Sequence, residues 1–218
     1  MKLLVIKSSI LGSGSVSGQL AESFTSALGT AGMDVQLTVR DLAAETIPAI
    51  DADWIAAMSA NAAERSPAEV ARVALADRLV WELQQADMLV IAAPMYNFTI
   101  PATLKTWIDY VARAGVTFKY TDQGPVGLLH DMPVVVIGSM GGEHREGVSD
   151  HLRPYLKTVL AFLGLEDVTM IVANKLNMGE APRAEALERA TQSLTQLAAQ
   201  LAGDIPARHA RKLRGAAA

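Results

Sequence analysis

Apolar residues gather along the chain in short runs separated by longer stretches of mixed pattern. Lys2 to Lys7 contains Leu3-Leu4-Val5-Ile6, and similar runs return at Met33 to Val39, Met88 to Ala93, Pro133 to Gly138 and Val168 to Ala173. Short apolar runs of this kind suit buried strands. Between them lie segments of helical pattern: about Ser17 to Ala31, Asp51 to Ala86 with a break near Ser66-Pro67, Pro101 to Arg113, Ser149 to Leu163, and an Ala-rich stretch from Pro182 to Ala202. Five strands alternating with helices predict an α/β fold, a parallel sheet covered on both faces. No internal repeat is present. One domain is expected over 1–203, followed at 204–218 by a mobile basic tail carrying Arg208, Arg211, Lys212 and Arg214.

The run Met88 to Ala93 ends in Pro94-Met95-Tyr96-Asn97-Phe98, where pairing must stop and the chain must turn. A helix follows, and Pro101 can be its first residue because a missing N–H costs nothing there. A loop of aromatic, amide and thioether side chains therefore lies at the C-terminal end of a strand, where open α/β sheets bind ligands. That chemistry suits a flat heteroaromatic ring with polar edges. The run Pro133 to Gly138 leads into a second such loop, Ser139-Met140-Gly141-Gly142, whose glycines let backbone N–H groups approach a planar ligand.

The first run gives way to Ser8-Ser9-Ile10-Leu11-Gly12-Ser13-Gly14-Ser15-Val16-Ser17. Its hydroxyl and backbone donors, with the positive end of a helix beginning near Ser17, can hold a phosphate without a lysine. A plain loop with Ser17 as helix N-cap accounts for the same residues about equally well. The Asn97 loop nearby favours the phosphate. There is no G-x-x-x-x-G-K-[ST], which excludes a P-loop. Gly12-Ser13-Gly14 begins like a dinucleotide fingerprint, but its third glycine position is Ser17 and several residues separate it from the strand. Asp41 is the remaining support for that reading, and an exposed loop carboxylate explains Asp41 as well.

Composition narrows the classes. The 218 residues are 50% hydrophobic, enough for one α/β domain with a sizeable core. A net charge of −4 offers no electrostatic reason for nucleic acid or a membrane surface as partner. The absence of cysteine excludes disulfides, thiolate metal sites and thiol redox chemistry. His130, His151 and His209 do not cluster with carboxylates at ligand spacing, so no metal is expected. No secretory pattern and no apolar run of membrane-span length are present, so the protein is expected to be cytoplasmic.

The stretch 94–129 resembles the FMN-dependent NADH-azoreductase family, which belongs to the flavodoxin-like NAD(P)H:quinone reductases. The residues that carry the likeness are Pro94 to Phe98, Ile100-Pro101, Leu104-Lys105, Trp107-Ile108-Asp109, Arg113-Ala114-Gly115, Thr117-Phe118, Tyr120-Thr121, Gly124-Pro125 and Gly127-Leu128, in unbroken register. More thinly, it extends from Met1 to about Leu201. The resemblance implies a flavodoxin-like three-layer α/β/α fold with parallel strands in the order 2-1-3-4-5. It implies FMN as cofactor, NADH or NADPH as electron donor, and azo compounds and quinones reduced by two-electron ping-pong transfer.

By the same resemblance, Ser9, Ser15, Val16 and Ser17 would bind the FMN phosphate. Pro94, Met95, Tyr96, Asn97 and Phe98, with Ser139, Met140, Gly141 and Gly142, would contact the ring. Phe98, Phe118, Tyr120 and Phe162 would line the substrate pocket, although Phe162 among Val159, Leu160 and Leu163 also reads as core. His144 is a candidate proton donor or substrate contact. Met140 and Val16 depart from the family, whose members often carry arginine and a longer polar residue there. A homodimer with the site at its interface is implied. Leu42 to Ser66 and a hairpin-like excursion around Tyr120 are the extra surface for it. Trp54 and Met58 are then candidate contacts to the partner's pocket, or equally core residues of their own subunit. Two other classes stay open: a flavodoxin-like electron carrier, and an NAD-only Rossmann dehydrogenase. The long excursions and mild charge argue against the carrier.

Overall fold

Leu3 and Val5 face one apolar core while Leu4 and Ile6 face another, so the first strand is buried on both sides. The computed structural model describes the backbone of residues 1–215 and the side chains of residues 1–204. In chain order the elements are β1 (Lys2–Lys7), α1 (Val16–Thr30), β2 (Gln36–Asp41), α2 (Ala52–Ser59), α3 (Pro67–Gln85), β3 (Met88–Pro94), α4 (Ala102–Val111), β4 (Phe118–Thr121), β5 (Gly124–Gly127), β6 (Val134–Ser139), α5 (Leu152–Leu163), β7 (Val168–Ala173) and α6 (Glu180–Gly215). The main sheet has five strands, all parallel, in the order β2-β1-β3-β6-β7. With the hairpin strands β4 and β5 left out, this is the expected 2-1-3-4-5 order.

The two cores define the layers. Leu89, Ile91, Val134 and Val136 pack with α2 to α5 through Trp54, Leu79, Trp107 and Leu156. Val90, Val135 and Ile137 pack with α1 and α6 through Phe24, Leu28, Ala190 and Leu194. Every residue of β3 is buried. Each buried Val, Leu or Ile contributes about 1.5–3 kcal/mol, so the strand that carries the Pro94 loop is firmly held.

Several boundaries differ from the sequence expectation, each for a local reason. The second strand starts at Gln36, not Met33. Gly32 takes φ +89 at the end of α1, and Met33 N–H still donates back to the Leu28 carbonyl at 3.1 Å. The helix after the first strand is capped by Ser15, whose Oγ accepts from Gly18 N–H at 3.0 Å, so Ser17 lies inside it. The long helical segment breaks over residues 60–66, and α3 then begins at Pro67 with a reciprocal Ser66–Glu69 capping box. Pro101 is the N-cap of α4, one place before the helix. Buried Thr117 ends α4 by donating to the Val111 carbonyl at 2.6 Å and accepting from Arg113 N–H at 2.8 Å. α5 begins at Leu152 because the fully buried Asp150 accepts the N–H groups of Leu152 and Arg153, each at 3.0 Å. α6 continues past residue 203 to Gly215. The side chains of the expected tail, and all of 216–218, lie outside the described residues.

The predicted excursion around Tyr120 is a two-stranded antiparallel hairpin, β4 with β5. It docks on the end of α5 through glycine. A Cβ on Gly127 would stand 2.1 Å from the Gly164 nitrogen and 2.3 Å from the Leu163 carbonyl carbon. Gly164, at φ +95, is the left-handed cap that turns the chain there.

Strand register brings the functional loops together. Lys7 pairs with Ala92, Pro94 with Ser139, and Ser139 with Ala173. The C-terminal ends of β1, β3, β6 and β7 therefore lie along one edge of the sheet, and the loops that follow them meet there.

Candidate functional site

A cleft of about 230 Å³ opens at that edge. The loop after β1 lines it with Ser9, Leu11, Gly14, Ser15 and Val16. The loop after β3 adds Pro94, Met95 and Tyr96, and the loop after β6 adds Ser139, Met140 and Gly141. Leu176 and Asn177 from the β7–α6 loop, with Arg183 from α6, complete the lining.

The β3 loop is a tight reversal. Tyr96 N–H donates to the Thr99 carbonyl at 3.0 Å and Thr99 N–H returns to Tyr96 at 3.2 Å. Both central residues have positive φ, Asn97 at +48 and Phe98 at +74. This is the backbone pattern of a type I′ turn, which favours Asn followed by Gly. A phenylalanine in the second place is strained, and such strain concentrates at ligand sites. The turn is supported from behind: His151 N–H donates to the Phe98 carbonyl at 2.9 Å. His151 precedes α5 directly, so the buried Asp150 cap also fixes the floor under Asn97 and Phe98.

The β6 loop is strapped to the β7–α6 loop. Lys175, Leu176 and Asn177 donate their N–H groups to the carbonyls of Gly142, Met140 and Gly141 at 3.0, 3.1 and 2.9 Å. Lys175 takes φ +60 to make these contacts. With their carbonyls engaged, Gly141 and Gly142 still have N–H groups that donate to no acceptor among the described residues. The N–H groups of Asn97 and Phe98, and those of Val16 and Ser17 at the start of α1, are likewise uncommitted. Uncommitted backbone donors thus line the cleft at Val16 and Gly141 and adjoin its lining in sequence at Ser17, Asn97, Phe98 and Gly142, beside walls of Leu11, Met95, Met140 and Leu176. That donor set fits a ligand with a phosphate at α1 and a flat, polar-edged ring at the two strand-end loops.

Of the residues expected at the cofactor, Ser9, Ser15, Val16, Pro94, Met95, Tyr96, Ser139, Met140 and Gly141 line the cleft. Ser17 stands one step behind, fully buried, with its Oγ 3.2 Å from Ser15 Oγ. Asn97, Phe98 and Gly142 adjoin the lining residues in sequence without lining it themselves. His144 lies outside the cleft, with Nδ1 3.3 Å from Ser149 Oγ and its ring edge-on to Phe98 at 5.8 Å.

The four substrate aromatics do not form one group. Phe118, buried, meets Phe162 at 4.4 Å and Tyr120 at 5.4 Å, while the exposed Phe98 pairs with His144. Phe162 packs on the core, as its neighbours suggested. Trp54 is buried and stacked on Tyr110 at 4.3 Å within its own chain, and Met58 also packs on that core. Asp41 is spent locally: its Oδ1 accepts from Ala43 N–H at 3.0 Å and Ala44 N–H at 3.3 Å. No group of three or more His, Cys, Asp or Glu suited to a metal occurs among the described residues.

Leu11, Gly14, Leu176, Asn177 and Arg183 were missed from the sequence. Leu11 and Gly14 sit inside the loop already singled out. The other three had no motif to mark them, and only the position of the β7–α6 loop brings them in.

The chain is similar to known proteins over most of its length. The family described as having a flavodoxin-like fold matches residues 1–198. The FMN-dependent NADH:quinone oxidoreductase of Shewanella loihica is 48% identical over 198 residues, 91% of this chain and 99% of that protein. The protein of the same name from Azotobacter vinelandii is 46% identical over 197 residues, 90% of this chain and 99% of its own length. Among solved structures, an FMN-dependent NADH-azoreductase from Bacillus anthracis in complex with FMN matches with a TM-score of 0.84 at 26% identity, over 92% of this chain and 99% of that one. With the sheet order, the strand-end cleft and nearly full-length likeness in agreement, this chain belongs to the flavodoxin-like family that includes the FMN-dependent NADH:quinone oxidoreductases.

Proposed function

We propose that the protein is an FMN-dependent NADH:quinone oxidoreductase that also reduces azo compounds. The observation that carries this reading is one strand-end cleft with uncommitted backbone donors on it at Val16 and Gly141 and next to its lining in sequence at Ser17, Asn97, Phe98 and Gly142. Bound FMN would supply the two-electron chemistry, oxidising NADH and reducing a quinone or azo compound in a ping-pong sequence.

The chain's own residues bind, orient and exclude water. The start of α1 and the hydroxyls of Ser9, Ser15 and Ser17 would hold the phosphate. The N–H groups of Asn97, Gly141 and Gly142 would be the donors to negative charge on the flavin ring, and being fixed in advance they would stabilise it without reorganisation. Leu11, Met95, Met140 and Leu176 would keep water from the ring. His144, beside Ser149 and with its ring edge-on to Phe98, is placed to meet substrate there.

The active form is a homodimer in the cytoplasm. What supports the dimer is the exposed apolar surface beside the cleft and on the hairpin: Ile10, Phe98, Tyr120, Val126 and Leu128. No helix among the described residues is long and apolar enough to cross a membrane.

The visible spectrum of purified protein tests the cofactor, since oxidised FMN absorbs where NAD does not. NADH consumption with a quinone then separates an oxidoreductase from an electron carrier. A colourless protein that cannot be reconstituted with FMN overturns the reading. Light scattering during dilution, followed alongside activity, tests the dimer, and a fully active monomer would refute it.

A further inference from the structure

We propose that Arg183 is a phosphate-binding residue of this cleft, supplying the positive charge that neutralises the phosphate monoester of FMN; the inference rests on the FMN reading above. Of the residues lining the cleft, only Arg183 is charged. The loop from Ser8 to Ser17 contains no lysine or arginine. Lys7, just before it, is held by Glu22 at 2.5 Å. The donors at α1 are therefore neutral hydroxyls and amides, while a phosphate monoester is close to a dianion at neutral pH.

The placement of Arg183 is otherwise unexplained. It lies in the first turn of α6 (Glu180–Gly215), where a cation opposes the helix dipole. It makes no ion pair among the described residues. Its one side-chain hydrogen bond runs from Nη1 to the Leu176 carbonyl at 3.3 Å. That bond turns the head group toward Leu176, itself a cleft residue strapped to Met140. A guanidinium has five N–H donors in a rigid fork that matches phosphate oxygens, so most of its capacity remains for a ligand. Gly14, Ser15 and Val16 of the expected phosphate loop line the same cleft.

FMN and riboflavin differ only in the phosphate, and this separates the possibilities. Apo-protein is titrated with each flavin, following fluorescence quenching, for the wild type, Arg183→Ala and Arg183→Lys. Arg183→Ala is expected to weaken FMN binding by about ten- to a hundred-fold, as for loss of a charge-assisted contact, and to leave riboflavin binding unchanged. Arg183→Lys should recover part of the loss, and added salt should shrink the difference between wild type and Arg183→Ala. Equal loss for both flavins would overturn the proposal, because Arg183 would then act on the ring or on the loop. Unchanged FMN affinity would overturn it too. If only the KM for NADH rises, the phosphate recognised is the dinucleotide's and the assignment to FMN is wrong. A wild-type protein that binds neither flavin would instead refute the cofactor reading itself.

Discussion

The Tyr96 hydroxyl stands 3.1 Å from Ser9 Oγ and accepts the Ile10 N–H at 3.3 Å, so one side chain ties the loop after β3 to the loop after β1. Ser9 Oγ in turn accepts from Leu11 N–H at 3.2 Å. The two loops on either side of the cleft are thereby held in one geometry.

Tyr96→Phe removes that tie while keeping the ring. A net hydrogen bond is worth about 0.5–1.5 kcal/mol, and an orphaned partner adds to the cost. FMN affinity is expected to fall by roughly three- to twenty-fold, with only a small drop in thermal midpoint. Flavin titration and a melting curve check both. An unchanged affinity would mean that the Ser8 to Ser17 loop holds its shape without Tyr96.

Gly141 is expected to stay small, and Asn177 is the neighbour that a side chain there would meet. A Cβ there would stand 2.6 Å from Asn177 Nδ2, while its φ is not in the left-handed region. The obstruction is a side-chain amide, not the backbone, so it can be removed. Gly141→Ala should reduce flavin content, and Gly141→Ala with Asn177→Ala should restore most of it. If the double variant is no better than the single one, Asn177 is not the obstacle and the methyl group itself intrudes on the ligand.

The close approach of Gly127 to Gly164 makes a second, purely structural prediction. Both atoms in the way of a Cβ belong to the backbone and have no easier place to go. Gly127→Ala is expected to cost about 1–3 kcal/mol, the usual range for overpacking, or to free the hairpin from α5. Urea unfolding measures the first outcome and hydrogen exchange at residues 118–127 the second. Wild-type behaviour in both would show that α5 yields readily at its end.

Asp51 caps α2 and pairs with Arg72. The Arg72 hydrogen bond, then the Trp54 N–H, hold its carboxyl down at about 2. A carboxyl depressed in the folded state stabilises the protein fully above its unfolded pKa of about 4 and loses that contribution as pH falls toward the folded value. Asp51→Asn retains a capping oxygen but loses the charge opposite Arg72. The stability gap between wild type and Asp51→Asn should be largest near neutral pH and close between about pH 4 and pH 2. Urea midpoints at several pH values test it, and a gap independent of pH would remove the ion pair from the account.

The layered α/β architecture could be read directly from the residue pattern, because buried strands and covering helices impose local periodicities. The five runs beginning at Lys2, Met33, Met88, Pro133 and Val168 became the five parallel strands, with the second shifted to Gln36. The family likeness supplied their order, which local patterning cannot encode. Most cleft residues were legible for a related reason: strand ends, glycines and the Pro94 to Phe98 loop mark themselves in sequence, and parallel register must bring strand ends to one edge. Arg183, Asn177 and Leu176 were not legible. They are far from the other cleft residues in the chain and join them only because β7 pairs with β6 and returns its loop against Met140 to Gly142. Trp54 went to its own core, since only the packed position of Tyr110 decides that. The division follows range: short-range geometry is written in spacing along the chain, whereas contacts across the sheet depend on which strands pair and on how far each loop reaches.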